Sequence, residues 1–122
     1  MKANELRVGN YVKGIGHNIS WVVEGIETDY IHSSNAWRLL SSFEPIPLNT
    51  KWLEKFGFEY GEFEDLYQKN GYDVDTKDNV YCHFYINEYG DWYKDIEHVH
   101  QLQNLYFALT GEELTIKDTA NG

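Results

Sequence analysis

The chain has 122 residues, and 20 acidic against 10 basic side chains give it a formal net charge of −10 at pH 7, together with 16% aromatic residues. This length predicts one domain with a core that forms without disulfides or a structural metal, and 42% hydrophobic content excludes a disordered chain. The negative charge disfavours direct binding to nucleic acid or to an anionic membrane, because both are bound mainly through lysine and arginine.

Residues 1–42 carry four acidic and four basic side chains and have a pattern typical of short strands. Residues 6–12 alternate apolar and polar side chains, residues 19–26 are rich in β-forming types, and residues 30–32 can add a third strand. Glycine and Ser-Ser-Asn turns separate these runs. We therefore expect an SH3-like small β-barrel or curled sheet in this part of the chain.

A connector and a short helix follow. Residues 43–48 contain two prolines, which favour extended backbone, so this segment is predicted as a connector or an edge strand. Asn49 or Thr50 can cap a helix over residues 51–56, and Gly57 suits its C-terminal end.

Strand and turn signals alternate after this helix. The strand candidates are residues 63–69, 72–75, 80–87 and 92–96. Asn-Gly, Asp-Asn and Tyr-Gly pairs separate them, and such residues favour tight turns. The simplest arrangement is an antiparallel β-meander.

Residues 97–109 carry the clearest helical pattern in the chain. Their apolar side chains recur at three- and four-residue spacing, at Val99, Leu102, Leu105, Tyr106 and Leu109. Gly111 then ends a predicted C-terminal amphipathic helix, and residues 112–116 can return as an edge strand. The fold class is thus predicted to be α+β, with a single domain over residues 1–122 and a frayed tail at residues 117–122.

All of the excess negative charge lies from Phe43 onward, where sixteen acidic residues face six lysines. The densest run is residues 59–65, and residues 43–116 form an acidic, aromatic-rich subregion beside the neutral residues 1–42. We expect several carboxylates to project from one sheet and to present a phosphate-like field to a basic protein surface. Acidic side chains also keep a small protein soluble, and this simpler explanation stays open.

The predicted strand over residues 80–87 carries ring side chains on both faces. Alternation separates Tyr81, His83 and Tyr85 from Cys82, Phe84 and Ile86. Exposed tyrosine and tryptophan are typical of protein interfaces, so a partner or self-association is expected there unless the rest of the chain covers both faces. The residues predicted to bind a partner are Glu59, Glu62, Glu64, Asp65, Tyr85, Tyr89, Trp92 and Tyr93.

Histidine and cysteine supply the other candidate chemistry. His98 and His100, with Cys82 and His83, are zinc-ligand types, but two helical positions two apart point about 200° away from each other. The chain also has no glycine-rich phosphate loop, nucleophile elbow or His-Glu-x-x-His motif. We therefore predict no metal, no cofactor and no enzymatic activity, and keep a small-ligand or accessory-enzyme role of His83, His98 and His100 as an alternative.

Several strings in the chain resemble a known family. They are the connector Pro-Ile-Pro-Leu at residues 45–48, Trp-Leu at 52–53, Phe-Gly-Phe at 56–58, and VHQLQNLYFALTGEEL at 99–114. The opening ANELRVGNYV is similar to the same family, which comprises small uncharacterised proteins of phages, prophages and conjugative elements in Bacteroides-type bacteria. The resemblance implies an accessory protein of a mobile element that acts inside its bacterial host, and it implies no activity and no catalytic residues.

These observations favour a non-catalytic protein-binding function in the service of a phage or mobile genetic element. The nearest alternative is inhibition of a host defence or nucleic-acid-binding protein through the acidic surface. The charged opening lacks the apolar stretch of a signal peptide, no later window is long and apolar enough for a membrane span, and Cys82 is a single cysteine, so a cytoplasmic location is expected.

Overall fold

The computed structural model of the chain describes residues 1–77, 81–86 and 93–116. Its helices and strands are β1 (Tyr11–Gly14), β2 (Ser20–Val22), β3 (Gly25–Glu27), β4 (Tyr30–Ser33), β5 (Ala36–Leu39), β6 (Phe43–Glu44), α1 (Thr50–Lys55), β7 (Glu59–Gly61), β8 (Leu66–Lys69), β9 (Tyr72–Asp75), β10 (Cys82–Tyr85), β11 (Tyr93–Ile96) and α2 (Val99–Thr110). Short 3-10 turns occupy Ala3–Glu5 and Leu40–Ser42.

The strands form three antiparallel sheets. β1 lies between β2 and β6, β4 lies between β3 and β5, and the third sheet has the order β11-β10-β9-β8-β7. The α+β class, the antiparallel meander and the C-terminal helix are therefore confirmed. Within the described ranges, none of the three sheets closes into a barrel.

The chain divides into two compact units. The first contains Met1–Pro47 and His98–Leu114, and the second contains Leu48–Glu97 and residues 115–122, of which 117–122 lie outside the described residues. The C-terminal helix thus belongs to the same unit as the N-terminal strands, although the fifty residues Leu48–Glu97, which include the acidic run, separate the two segments in the sequence.

The first unit has a core supplied by its short strands. Its fully or largely buried side chains are Leu6, Val12, Val23, Ile31 and Phe43. Trp21 packs edge-on against Phe43, with ring centroids 6.0 Å apart, and Ile26 and Leu40 cover the remaining sides. Burying such aliphatic and aromatic side chains is the main favourable term in folding a unit of this size.

The N-terminal strands differ from the predicted ones at three places. β1 begins at Tyr11 because Gly9 adopts a positive φ of 97° and the Asn10 N–H bonds to the Arg7 carbonyl, so residues 7–10 form a turn. The predicted strand over residues 19–26 is split into β2 and β3, because the chain leaves β1 at Val23 and pairs with β4 from Glu24 onward. β5 was not predicted at all.

The second unit begins with α1, as the sequence predicts. Asn49 is its cap, since its side-chain oxygen accepts a hydrogen bond from the Trp52 N–H at 3.0 Å. Trp52 and Leu53 are buried, and Gly57 follows with a positive φ of 90°. The meander contains β7 in addition to the predicted strands, and Asn70 and Gly71 form its β8–β9 turn.

Helix α2 is held in the first unit by a buried amide. The Gln103 side chain is fully buried, donates to the carbonyls of Gly9 and Leu114 at 3.0 and 3.2 Å, and accepts from the Tyr11 N–H at 2.9 Å. Gly111 ends the helix in the left-handed conformation at φ 75°. Residues 112–116 do not form the expected edge strand, because Leu114 is bound through the Gln103 side chain instead of a strand partner.

The opening string and the C-terminal string of the chain are in direct contact. Arg7 bonds to the side chains of Asn104 and Glu113 and stacks over the Phe107 ring at 4.2 Å. Asn10 is buried and donates to Asn104 at 2.9 Å. Arg7, Asn10, Asn104 and Glu113 therefore build one polar junction inside the first unit.

Candidate protein-binding face

The five-stranded sheet of the second unit has two chemically distinct faces. Residues directly opposite each other on neighbouring strands share a face, and alternate residues along a strand do too. One face carries the buried side chains Val74, Cys82, Phe84 and Ile96. Lys69, on the same face, donates to the carbonyl of Phe56, the residue that follows helix α1, at 2.9 Å.

The opposite face carries acidic, polar and aromatic side chains, and we call it the acidic face. Its members are Glu59, Gly61, Leu66, Gln68, Asp73, Asp75, His83, Tyr85, Tyr93 and Asp95. All of them are half-buried or exposed. An apolar sheet face would be expected to need a cover, whereas this composition is stable in contact with water.

One cross-strand row runs through all five strands of the acidic face. The row is Glu59, Gln68, Asp73, Tyr85 and Tyr93, in the order β7-β8-β9-β10-β11. The Tyr85 and Tyr93 rings meet with centroids 5.9 Å apart, and Gln68 donates to the Asp73 carboxylate at 3.2 Å. Acidic and aromatic side chains therefore lie in one line on the same surface.

A second row places a histidine between two carboxylates. His83 lies opposite Asp75 on one side and Asp95 on the other, and its Nδ1 is 2.7 Å from the Asp95 Oδ1. The Tyr93 ring stands edge-on to His83 at 4.9 Å. These contacts restrict the rotamers of His83 and Tyr93, so the aromatic end of the face has a defined shape.

The turn between β7 and β8 extends the acidic surface. Glu62 and Glu64 are exposed there, on either side of Phe63, whose side chain is fully exposed. A Cβ atom added to Gly61 would lie 2.6 Å from a Glu64 carboxylate oxygen, so Glu64 folds back over Gly61 toward the acidic face. Within the part of the chain that the structure describes, Glu59, Glu62 and Glu64 form no ion pair.

Asp65 has a different environment from these three glutamates. It adopts a positive φ of 57°, accepts a hydrogen bond from the Tyr60 hydroxyl, and lies 3.5 Å from the Lys77 Nζ. The Tyr60 hydrogen bond and then Lys77 lower the pKa of Asp65 below its usual value of 3.8, and the same hydrogen bond raises the pKa of Tyr60. Asp65 is thus tied into the turn, which makes it a poorer partner contact than Glu59, Glu62 or Glu64.

Six of the eight residues predicted to bind a partner lie in or beside one surface. Glu59, Tyr85 and Tyr93 share the long row of the acidic face, and Glu62, Glu64 and Asp65 lie in the adjoining turn. Tyr89 and Trp92 lie outside the described residues. Sequence reasoning missed Gln68 and Phe63. The register that puts Gln68 in the row has no local signal, and the predicted strand over residues 63–69 included Phe63, whereas β8 begins only at Leu66 and Phe63 lies in the turn before it.

The three candidate histidines belong to different units of the chain. His83 belongs to the second unit, and His98 and His100 belong to the first. His100 is 3% exposed, and its Nδ1 has no hydrogen-bond partner among the residues that the structure describes. Burial, and then the nearby His98, lower the pKa of His100 below its usual 6.5, so the ring is neutral at pH 7. Among the described residues, no group of three or more histidine, cysteine or acidic side chains is placed to hold a metal ion.

Comparisons of this chain with protein-family models, with curated proteins and with solved structures found no match. None of the helices in the described ranges has the length and apolar character that crossing a membrane requires.

Proposed function

We propose that this chain is a non-catalytic protein-binding protein, and that the acidic face of its second unit recognises a basic surface on its partner. The observation that carries the proposal is the row Glu59, Gln68, Asp73, Tyr85 and Tyr93, which lines up two tyrosines with carboxylates on a hydrogen-bonded sheet. Tyrosines supply rigid contact area, and carboxylates steer and orient a basic partner.

The exposed turn next to this row supports the same function. Phe63 is a large apolar side chain in full contact with water, with a carboxylate on each side in the sequence. Apolar anchors surrounded by charged residues are typical of protein interfaces, because the anchor supplies affinity and the rim supplies orientation. The turn and the tyrosine row together offer an apolar and an electrostatic component.

The resemblance of the chain's strings to mobile-element proteins supports the further proposal that it acts in a bacterial host cell, as an accessory protein of a phage or conjugative element. The SH3-like arrangement of the strands in the first unit is part of the same proposal. A second candidate is inhibition of a host nucleic-acid-binding protein. It is favoured by Asp73 and Asp75, which are two residues apart on one face of β9 and thus about 7 Å apart along the strand. Fixed carboxylates at such intervals can occupy a groove that binds phosphates.

Affinity capture from a lysate of a Bacteroides-type bacterium tests the proposal. Three baits are compared. They are the wild-type chain, a neutralised variant with Glu59→Gln, Glu62→Gln and Glu64→Gln, and a control variant with Asn4→Lys, Asn18→Lys and Thr115→Lys. Both variants raise the net charge by three, and all six side chains are exposed, so both are expected to fold. The control separates the position of the charge from its total amount.

We expect a protein with a basic surface to be retained by the wild type and by the control, and to be lost with the neutralised variant or with added salt. Equal retention by all three baits contradicts the proposal. Competition by duplex DNA for the captured protein then decides between the two candidates, because only a nucleic-acid-binding partner would be released.

A further inference from the structure

The sheet β3-β4-β5 of the first unit presents large apolar side chains to solvent on the face turned away from its core. The inner face carries Ile26 and Ile31, which pack in the core of the unit. The outer face has two cross-strand rows, made of Gly25, His32 and Trp37 and of Glu27, Tyr30 and Leu39. Trp37 and Leu39 are each 50% exposed and Tyr30 is 44% exposed.

Trp37 is held in place on this outer face. A Cβ atom added to Gly25 would lie 3.2 Å from the Trp37 ring, so the indole lies over the space that a side chain would occupy. The His32 ring supports it edge-on, with centroids 5.2 Å apart. The indole is therefore a fixed exposed surface, and fixing it before binding reduces the entropy cost of making a contact.

A cavity adjoins the second row. It has a volume of about 390 Å³ and is lined by Met1, Asp29, Tyr30, Leu39, Leu40 and Ser41. Tyr30 and Leu39 belong to both the exposed row and the cavity wall, so the sheet face and the cavity form one continuous surface, which we call the Trp37 strip. Cavities of about 300 Å³ or more are large enough to hold a small ligand or a few side chains of a peptide.

The charge of the Trp37 strip indicates which kind of peptide segment can bind there. Glu27 lies in the exposed row and Asp29 lies in the cavity wall, and these two carboxylates outnumber the one α-ammonium group of the lining, that of Met1. Neither the two rows nor the cavity lining contains a lysine or an arginine. An apolar surface with carboxylates and an exposed indole favours a partner that brings an apolar side chain next to a cation. An acidic or purely polar segment would gain little from the same surface.

We propose that the Trp37 strip is a second protein-binding site, which takes a peptide segment with an aliphatic or aromatic side chain beside a lysine or arginine. The apolar side chain enters the cavity between Tyr30 and Leu39, and the cation lies over the Trp37 indole or against Glu27 and Asp29. This site is in the first unit, and it stands independently of the acidic face in the second.

Selection from a random peptide library displayed on phage, with the full-length wild-type chain as bait, tests this site. Binding of the enriched peptides is then measured to the wild type, to Leu39→Ser and to Gly25→Val, which would displace the indole. Leu109→Ser removes a comparably exposed leucine of the same unit and is the matched control. Circular dichroism of each variant shows that it is folded, which Leu39→Ser should be because Leu39 is half-exposed.

We expect enriched peptides that combine an apolar residue with lysine or arginine, and a loss of affinity of about tenfold or more with Leu39→Ser and Gly25→Val but not with Leu109→Ser. Acidic or purely polar peptides, or peptides that bind Leu39→Ser as well as the wild type, would overturn the proposal. Self-association of the wild type that Leu39→Ser abolishes would also overturn it, since the occupant would then be a second copy. Peptides that lose binding only with Glu59→Gln, Glu62→Gln and Glu64→Gln would likewise overturn it, because their binding site would be the acidic face.

Discussion

Tyr85 and Tyr93 lie directly opposite each other on β10 and β11, with ring centroids 5.9 Å apart and ring planes at 60°. Asp73 lies opposite Tyr85 on the next strand, so a carboxylate adjoins the aromatic pair in the same row. The sheet hydrogen bonds fix this order of side chains. A partner thus meets an aromatic and an anionic group at a set spacing of about one strand, roughly 5 Å.

Replacing Tyr93 by alanine is expected to reduce partner binding far more than stability. Tyr93 is 53% exposed, and losing a cross-strand aromatic contact lowers the free energy of unfolding by about 0.5–1 kcal/mol. Affinity for the captured partner is expected to fall about tenfold or more, as for an aromatic interface anchor. Urea denaturation and titration calorimetry measure the two effects, and Tyr93→Phe should retain most of the affinity. A Tyr93→Ala variant that binds like the wild type would exclude this residue from the interface.

The two-residue period of residues 81–86 was sufficient to predict which of their side chains share a face. Cys82 and Phe84 are buried, whereas His83 and Tyr85 lie on the acidic face, as alternation requires. Helix α2 was equally predictable, because its apolar spacing and Gly111 are local signals. Local patterns of this kind depend only on neighbours in the sequence.

Features that depend on cross-strand register were not predictable. Gln68 joins the long row of the acidic face only because β8 pairs with β7 and β9 in one register. The split of residues 19–26 into β2 and β3 likewise depends on which strands β1 and β4 accept as partners. The Trp37 strip was missed because β5 is short and flanked by turns, so its alternation extends over only four residues.

Replacing the buried Gln103 by leucine is expected to lower the free energy of unfolding substantially. Three backbone groups, the Tyr11 N–H and the carbonyls of Gly9 and Leu114, would lose their partner in the interior. Each buried polar group left unsatisfied costs about 1–3 kcal/mol, so several kcal/mol are expected in urea denaturation. Ala108→Gln, an exposed change on the same helix, should stay within about 0.5 kcal/mol. A Gln103→Leu variant as stable as this control would show that the amide is dispensable.

Because His100 is buried, we expect the first unit to lose stability as the pH falls. Burial, the neighbouring His98 and the N-terminus lower the pKa of His100 and Glu5 opposes them, so the net folded-state pKa lies below the unfolded value of 6.5. The unfolded state therefore binds this proton first, and the free energy of unfolding decreases below pH 6.5 by at most about 1.4 kcal/mol per pH unit. His100→Leu should flatten this dependence, whereas His17→Gln, an exposed change, should not. Urea midpoints at several pH values measure the slopes, and equal slopes for wild type and His100→Leu would refute the assignment.

Removing the hydrogen bond between Tyr60 and Asp65 is expected to shift the pKa of the Asp65 carboxyl. Removing the hydroxyl with Tyr60→Phe takes away the largest cause of the lowered pKa of Asp65, so that pKa should rise toward 3.8. Carbon-detected NMR of the Asp65 carboxyl during an acid titration measures it. Tyr67→Phe removes a hydroxyl from the neighbouring strand and should leave the Asp65 titration unchanged. An unmoved Asp65 titration in Tyr60→Phe would show that the hydrogen bond does not form in solution.

Site-specific photocrosslinking in the proposed host, a Bacteroides-type bacterium, tests the central claim most directly. A photoreactive phenylalanine analogue replaces Tyr93 or Glu59 at the two ends of the acidic-face row, and Asn4 or Asn18 at exposed control positions of the first unit. The account predicts that positions 93 and 59 crosslink to the same partner, that its crosslinked peptides are rich in lysine and arginine, and that positions 4 and 18 do not reach it. Crosslinks to that partner from positions 4 and 18 with none from 93 and 59 would contradict the account.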